Sequence, residues 1–202
     1  EISINTNVTG ILMGLMPITT VFLAYFFVKE EKINLYTFLG ILLGFLGLFF
    51  LLDIISNKNI NLFPHYAVIL ATISFAVGTI YVRKIPNFNP LYILTGSTYF
   101  ACIILLPFVF LFEDPMNASP TNQSIIFAIV LGILNTAIGG LIFFKLIKLT
   151  GAAFTSTVNF ITPFVAVIWG YAFLNESLNS KQILGFFFIL LGIYLVKKST
   201  DS

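Results

Sequence analysis

The stretch "TPFVAVIWGYAFLNES" at residues 162–177 is almost wholly apolar, contains a proline within a helix-length run, and ends beside a glutamate. A second stretch, "MPITTVFLAYFFVKEE" at residues 16–31, has the same order of features. In each, two glycines follow the glutamate, nine and sixteen residues farther along the chain. The chain therefore contains one apolar segment twice, and the relation between the copies decides the fold.

The composition shows which solvent surrounds the chain. Of its 202 residues, 58% are hydrophobic and 9% are charged, whereas a soluble domain carries roughly 25% charged residues. The mean hydropathy is +1.03. Because a backbone inside lipid must satisfy its own hydrogen bonds, we expect an all-α polytopic membrane protein.

Seven stretches are long and apolar enough to cross a bilayer, which takes about 20 mainly apolar residues. Loops rich in Pro, Asn and Ser separate them, as expected for turns. We name them spans A to G: A 8–28, B 35–52, C 64–82, D 90–112, E 124–144, F 152–174 and G 182–196.

The basic residues predict the orientation of these spans, because lysine and arginine in short loops mark the cytoplasmic side. Of the ten basic residues, only Lys58 and Lys181 lie in loops on one side. The other eight lie on the opposite side: Lys29, Lys32, Arg83, Lys84, Lys145, Lys148, Lys197 and Lys198. We therefore expect the C-terminus to be cytoplasmic and residue 1 to lie on the outer side of the membrane.

The two copies of the segment align in detail. Pro17 corresponds to Pro163 with a shift of 146, and Glu31 corresponds to Glu176 with a shift of 145. The glycines that follow also shift by 145. The copies begin in spans A and F, which are five spans apart and so cross the membrane in opposite directions. Such inverted repeats are common in secondary transporters.

The repeat also predicts the domain organisation. Residues 1–53 match the last two helices of a first repeat, residues 54–63 form a loop, residues 64–198 form a complete second repeat of five helices, and residues 199–202 form a cytoplasmic tail. By this count three further helices should precede residue 1, and the chain is a truncated form of a ten-helix protein.

Two segments carry a resemblance to a known family. Residues 151–195 resemble the end of an EamA domain of the drug/metabolite transporter superfamily, and residues 15–52 resemble the end of the preceding EamA domain. The resemblance implies two inverted five-helix halves in the inner membrane that move small metabolites or drug-like compounds by alternating access, usually as exporters. It leaves the substrate open.

Polar residues inside the spans are the candidates for a substrate cavity, because a polar group facing lipid is costly. Asn159 and Asn135 are amides near the middle of spans F and E. Each either contacts substrate or joins helices as a polar contact. The predicted cavity also includes Thr155 and Thr162 from span F, Ser74 from span C, and Thr9, Met13 and Met16, three residues of span A that correspond to Thr155, Asn159 and Thr162.

The repeated prolines and glutamates have structural interpretations. Pro17 and Pro163 each remove a helix hydrogen bond, so they act either as hinges or as packing kinks. Glu31 and Glu176 lie at helix ends, where a carboxylate caps a helix or pairs with a loop cation. The run "VKEE" leaves open whether Glu30 or Glu31 occupies the motif position.

Several functions are disfavoured. The spans contain no nucleophile–base pair, carboxylate pair or metal-ligand set, so we expect neither an enzyme nor a cofactor or metal. No basic patch interleaved with aromatics suggests nucleic acid. The expected partners are membrane lipid and a small-molecule substrate, and a homodimer is compatible with such a chain. The alternative to transport is a membrane scaffold or an inactive truncated copy.

The charge distribution yields a first testable prediction. A fluorescent protein fused after Lys197 should be active, and alkaline phosphatase fused there should be inactive, because the positive-inside rule places the tail in the cytoplasm. The converse should hold for fusions at Glu113. An active phosphatase at the tail would overturn the orientation.

Overall fold

A computed structural model describes residues 6–29, 31, 33–51, 62–113, 115–117, 119–174 and 180–201. All regular secondary structure within these ranges is helical. In chain order the elements are α1 Thr6–Met13, α2 Leu15–Phe27, α3 Leu35–Leu51, α4 Leu62–Lys84, α5 Pro90–Phe112, α6 Asn122–Leu131, a π-helical segment Gly132–Gly139, α7 Gly140–Ser156, α8 Val158–Leu174 and α9 Ser180–Asp201.

The helices correspond to the seven predicted spans. Spans B, C, D and G are α3, α4, α5 and α9, and span A is divided between α1 and α2. Helical runs at His65–Lys84, Pro90–Phe112, Asn122–Ser156 and Ser180–Thr200 are long and apolar enough to cross a membrane. Shorter apolar helices cover Leu15–Phe27, Leu35–Leu51 and Val158–Trp169. The prediction of an all-helical polytopic membrane protein is confirmed.

The chain divides into two compact units. Unit 1 contains Glu1–Lys84 and Thr150–Ser202, and unit 2 contains Ile85–Leu149. In unit 2, α5 and α6 have no buried residues, which suits side chains that face lipid. Asn89 caps α5 by accepting a hydrogen bond from Leu91 N, and Thr121 caps α6 by accepting one from Ser124 N.

Within unit 1, α3 and α9 pack so closely that their backbones touch through glycines. A Cβ added to Gly40 would lie 2.5 Å from Gly192 O, and one added to Gly47 would lie 2.8 Å from Gly185 O. The contacts are reciprocal, since a Cβ on Gly185 would lie 2.7 Å from Gly47 O. Small residues that allow such close approach are typical of membrane helix pairs.

The order of these contacts shows how the two helices run. The first glycine of one copy, Gly40, meets the second glycine of the other copy, Gly192, and Gly47 meets Gly185. Helices that pair in this crossed order must be antiparallel. The hydroxyls of Thr37 and Ser199, 2.6 Å apart and both buried, join the start of α3 to the end of α9. Spans B and G thus have opposite directions, as the inverted repeat predicts.

The glycine contacts yield the second prediction. Gly47→Ala should lower the thermal unfolding midpoint, because overpacking costs about 1–3 kcal/mol and outweighs the helix propensity gain of about 1 kcal/mol. Gly78→Ala on α4 is the matched control, since nothing lies within 4 Å of a Cβ at that position. It should leave the midpoint unchanged or raise it. Equal midpoints for the two variants would show that the α3–α9 contact is looser than described.

Candidate functional site

Span A is interrupted at Gly14, between α1 and α2. Gly14 N still donates to Gly10 O over 3.0 Å, so the chain continues in the same direction. Pro17 follows in the first turn of α2, where a missing N–H is least disruptive, and is buried. Because proline has no N–H, the carbonyl of Met13 lacks the donor that an uninterrupted helix would supply.

Span F is interrupted at Thr157, between α7 and α8. Thr157 N donates to Phe154 O over 3.0 Å, and Phe160 N donates to Thr157 O over 2.9 Å. These tighter i to i−3 bonds leave Ser156 O without its usual donor, and Asn159 Nδ2 supplies one at 3.0 Å. The amide of Asn159 therefore stabilises the interruption of its own helix.

Both interruptions precede the repeated prolines, at Gly14 before Pro17 and at Thr157 before Pro163. Pro163 lies inside α8 and leaves the carbonyl of Asn159 without a helical donor. The residues whose carbonyls lose donors, Met13 and Asn159, correspond to each other in the repeat. The hinge role of the two prolines stays a prediction.

A cavity of about 260 Å³ lies beside these interruptions, between α1, α2, α4 and α8. It contains four of the residues predicted for a substrate cavity, from both copies of the repeat. Its lining consists of Thr9, Met13, Met16, Val68, Ala71, Thr72, Phe75 and Asn159.

The other predicted cavity residues lie elsewhere. Thr155 is fully buried and donates to Gly151 O, and Thr162 is exposed and donates to Val158 O. Ser74 is exposed on α4 and is not part of the cavity lining. Asn135 lies in the π-helical segment of unit 2, where its side chain is exposed. A cavity shared by Asn135 and Asn159 stays a prediction.

The sequence analysis missed the main contribution of α4. Val68, Thr72 and Phe75 line the cavity at spacings of four and three residues, which place them on one face of the helix. Apart from the single hydroxyl of Thr72 this face is apolar, so polarity alone did not distinguish it from a lipid-facing surface. The small-residue face that includes Ser74 gave the stronger sequence signal.

Asn159 also joins the two copies of the repeat. Its Nδ2 donates to Met16 Sδ over 2.8 Å, which links α8 to α2. The amide thus makes the interhelical contact expected of a polar bridge and lines the cavity as well. Asn159 can therefore both join helices and contact a substrate. Its nitrogen makes the bonds to Met16 and Ser156, and its oxygen takes part in neither bond.

A second polar cluster forms at the end of span A. Glu31 Oε1 accepts from Ala152 N and Oε2 accepts from Ala153 N over 2.9 Å. Arg83 Nε lies 3.3 Å from Glu31 Oε1, and the Glu31 side chain is only 7% exposed. The non-helical backbone of Gly151 (φ 88°, ψ 172°) divides α7, so the amides of Ala152 and Ala153 begin a new helical segment. A carboxylate that accepts from the first amides of a helix satisfies otherwise unpaired donors and interacts favourably with the helix dipole. Glu31 thus has the capping and ion-pairing role expected from the sequence, while Glu176 lies outside the described residues.

Gly151 makes this cluster possible. Its φ of 88° is unfavourable for a side chain, and an added Cβ would lie 2.8 Å from Glu31 Oε1. The cluster joins the ends of spans A and C to the start of span F. We call Glu31, Arg83 and the Ala152 and Ala153 amides the Glu31 junction.

An apolar layer lies between the cavity and the Glu31 junction. Ala24, Val28, Ile80 and Ala152 form a buried cluster. On α4, Ile80 comes after the cavity residues and before Arg83, and on α2 Ala24 comes after Met16. The layer and the junction therefore follow the cavity along α2 and α4, toward the ends of spans A and C.

A larger cavity of about 490 Å³ between α2 and α3 is a weaker candidate. Apart from Tyr25, its lining is wholly apolar: Ile18, Val21, Phe22, Phe26, Ile33, Phe38, Ile41 and Leu42. Such a surface suits a hydrocarbon chain and offers little basis for selectivity. Within the described part of the chain, no three His, Cys, Asp or Glu residues come together in a way that would hold a metal ion.

Interrupted helices beside a cavity in an all-helical membrane protein are typical of secondary transporters, where irregular backbone occurs at the binding site. The EamA-like transporter family matches residues 3–53 and 62–197. The chain belongs to this family.

Three individual relatives are similar to this chain over most of its length. The Uncharacterized transporter YoaV of Bacillus subtilis is 24% identical over 95% of this chain and 66% of its own length. An uncharacterized transporter of Archaeoglobus fulgidus is 27% identical, over 97% and 69%. A WAT1-related chloroplastic protein of Arabidopsis thaliana is 29% identical, over 93% and 47%. The chain thus spans about half to two thirds of the length of these relatives.

The Glu31 junction yields the third prediction. Glu31→Ala should lower the free energy of unfolding by about 1–3 kcal/mol, because it leaves the amides of Ala152 and Ala153 without their acceptor and removes the ion partner of Arg83, whose side chain is 24% exposed. Gly151→Ala should also destabilise the protein through strain at φ 88°. The matched control is Glu113→Ala at an exposed loop position, which should change stability by less than about 0.5 kcal/mol. Denaturation in detergent would measure all three, and equal stability of Glu31→Ala and Glu113→Ala would contradict the junction.

Proposed function

We propose that the chain forms the core of an exporter of small metabolites or drug-like compounds, working by alternating access between two inverted repeats. The proposal applies to a ten-helix protein that contains this chain, in which three helices precede span A. The length of the relatives and the family match to two separate segments support this organisation. The charge distribution supports a cytoplasmic C-terminus, and a location in the inner (plasma) membrane is what the family resemblance implies.

The observation that carries the proposal is the cavity between the two interrupted, repeat-related spans. Span A belongs to one copy of the repeat and span F to the other, so movement of one copy against the other would reshape the lining. The N–H···S contact between Asn159 and Met16 is weak enough to break during such a movement. A scaffold has no need of a cavity that presents an amide and two hydroxyls between two repeat-related spans.

The Glu31 junction supports a direction for that movement. It ties span A to spans C and F at the end that carries most of the basic loop residues, with the apolar layer of Ala24 and Ile80 above it. We infer that the cavity in this conformation is closed to the cytoplasm. Opening to the cytoplasm then requires the junction and the layer to separate.

Cysteine accessibility tests alternating access without knowledge of the substrate. In the full-length protein with Cys102→Ser, a Met13→Cys variant would be treated with a membrane-impermeant methanethiosulfonate in right-side-out and inside-out vesicles. Met13 lines the cavity and is 49% exposed. We expect labelling from both faces, since a transporter exposes its cavity to each side in turn.

The control is Leu190→Cys on α9, an exposed apolar position that should face lipid. A thiol in lipid does not ionise and should not react from either face. Labelling of Met13→Cys from one face only, or from neither, would contradict alternating access and favour the scaffold.

A further inference from the structure

The hydrogen-bonding groups that the cavity leaves for a ligand are mainly acceptors. Both N–H bonds of the Asn159 amide are engaged, one with Met16 Sδ and one with Ser156 O. Because a carbonyl can only accept, the nitrogen of the amide must face Ser156 O. The oxygen Oδ1 therefore faces away from Ser156 O, and both of these hydrogen bonds of Asn159 are made through its nitrogen.

The two threonines of the cavity lining add to this pattern. Thr72 Oγ1 donates its hydrogen to Val68 O over 2.8 Å, so its lone pairs remain as acceptors. Thr9 Oγ1 is buried and has no hydrogen-bond partner within the described part of the chain. The carbonyls of Met13 and Asn159, which lose their helical donors to the two prolines, are further acceptors beside the cavity.

Donors and formal charges are missing from the same lining. Among the described residues that form it, there is no Lys, Arg, His, Asp or Glu. Within that set, the Thr9 hydroxyl is the one side-chain donor that has no hydrogen-bond partner. A carboxylate or phosphate bound there would lose its hydration with a single hydroxyl in exchange. An ammonium group would find three side-chain acceptors, and the Phe75 ring would add a favourable cation–π surface.

We propose that this cavity binds a small primary amine whose NH₃⁺ group donates to Asn159 Oδ1, Thr72 Oγ1 and Thr9 Oγ1. This inference rests on the proposed function, since it names the class of substrate for the same cavity. The apolar body of the ligand packs against Met13, Phe75 and their neighbours. A volume of about 260 Å³ lies near the lower limit for ligand pockets, roughly 300 Å³, which suits one ring with a short chain.

Three matched probes test the proposal on the purified full-length protein by isothermal titration calorimetry. Phenethylamine carries the ring and three N–H donors. Trimethyl(2-phenylethyl)ammonium keeps the ring and the charge but has no donor, and 3-phenylpropionate replaces the amine by a carboxylate. We expect phenethylamine to bind at least about tenfold more tightly than the trimethyl compound, and the carboxylate to show no binding.

Two variants locate the effect, and one serves as a control. Thr72→Val and Asn159→Leu should each reduce the preference for phenethylamine over the trimethyl compound, because each removes one acceptor. Thr79→Val removes a comparable buried hydroxyl about two turns farther along α4. Thr79 is not among the residues that line the cavity, although its hydroxyl donates to the backbone carbonyl of Phe75, which is one of those residues. Thr79→Val should keep the full preference. The near-isosteric Thr72→Val keeps the test valid if Asn159→Leu fails to fold.

The outcomes separate this proposal from the proposed function. Equal affinity for the amine and the trimethyl compound, or binding of the carboxylate, would overturn the amine site even if Met13→Cys is labelled from both faces. Selective amine binding that Thr72→Val weakens would support the site even if Met13→Cys is labelled from one face only. In that case the amine site would be supported and the proposed alternating access would be rejected.

Discussion

The backbone contact between α3 and α9 is the constraint on which the rest of unit 1 depends. Lipid gives no hydrophobic drive for helices to associate, so association relies on close packing. Gly40, Gly47, Gly185 and Gly192 supply it by letting two backbones approach to distances that no side chain permits. Because each glycine meets its non-equivalent partner in the other copy, this one contact fixes both the spacing and the antiparallel direction of the repeats.

The same contact positions the site through Phe160. The edge of this fully buried ring occupies the space at Gly44 in α3, and Phe160 belongs to the cluster that includes Leu48 and Ile189. Phe160 N bonds to Thr157 O in the interruption of span F, and the next residue toward the N-terminus is Asn159. The ring thus anchors α8 at the point where its backbone is irregular, and the Asn159 amide is directed toward α2 and the cavity.

The sequence predicted most of this fold for physical reasons that are local. Hydrophobic length defines spans, and the repeated Pro, Glu and Gly define their pairing. The repeat correspondence also grouped Thr9, Met13, Met16 and Asn159, which line one cavity, while their role in binding a substrate stays a prediction. The sequence could not predict the interruptions at Gly14 and Thr157, and at Thr157 the interruption depends on backbone hydrogen bonds that shift from i−4 to i−3 acceptors. Nor did it identify Arg83 and Gly151 as partners of Glu31, since the three residues meet only after spans A, C and F pack.

The two halves of the cavity are unequal, and that inequality bears on mechanism. If the repeats were identical, exchanging their conformations would give outward-open and inward-open states of equal free energy. Here Asn159 corresponds to Met13, so one half presents an amide and the other a thioether. The Asn159 amide already donates one N–H to Ser156 O within span F. Separating the amide from Met16 therefore frees only one N–H, and a water molecule or a ligand can replace the lost contact. In the alternating-access mechanism that we propose, the polar half would stay ordered while the adaptable methionine half repacks. The bias between the two proposed states would then rest on contacts outside the cavity, such as the Glu31 junction.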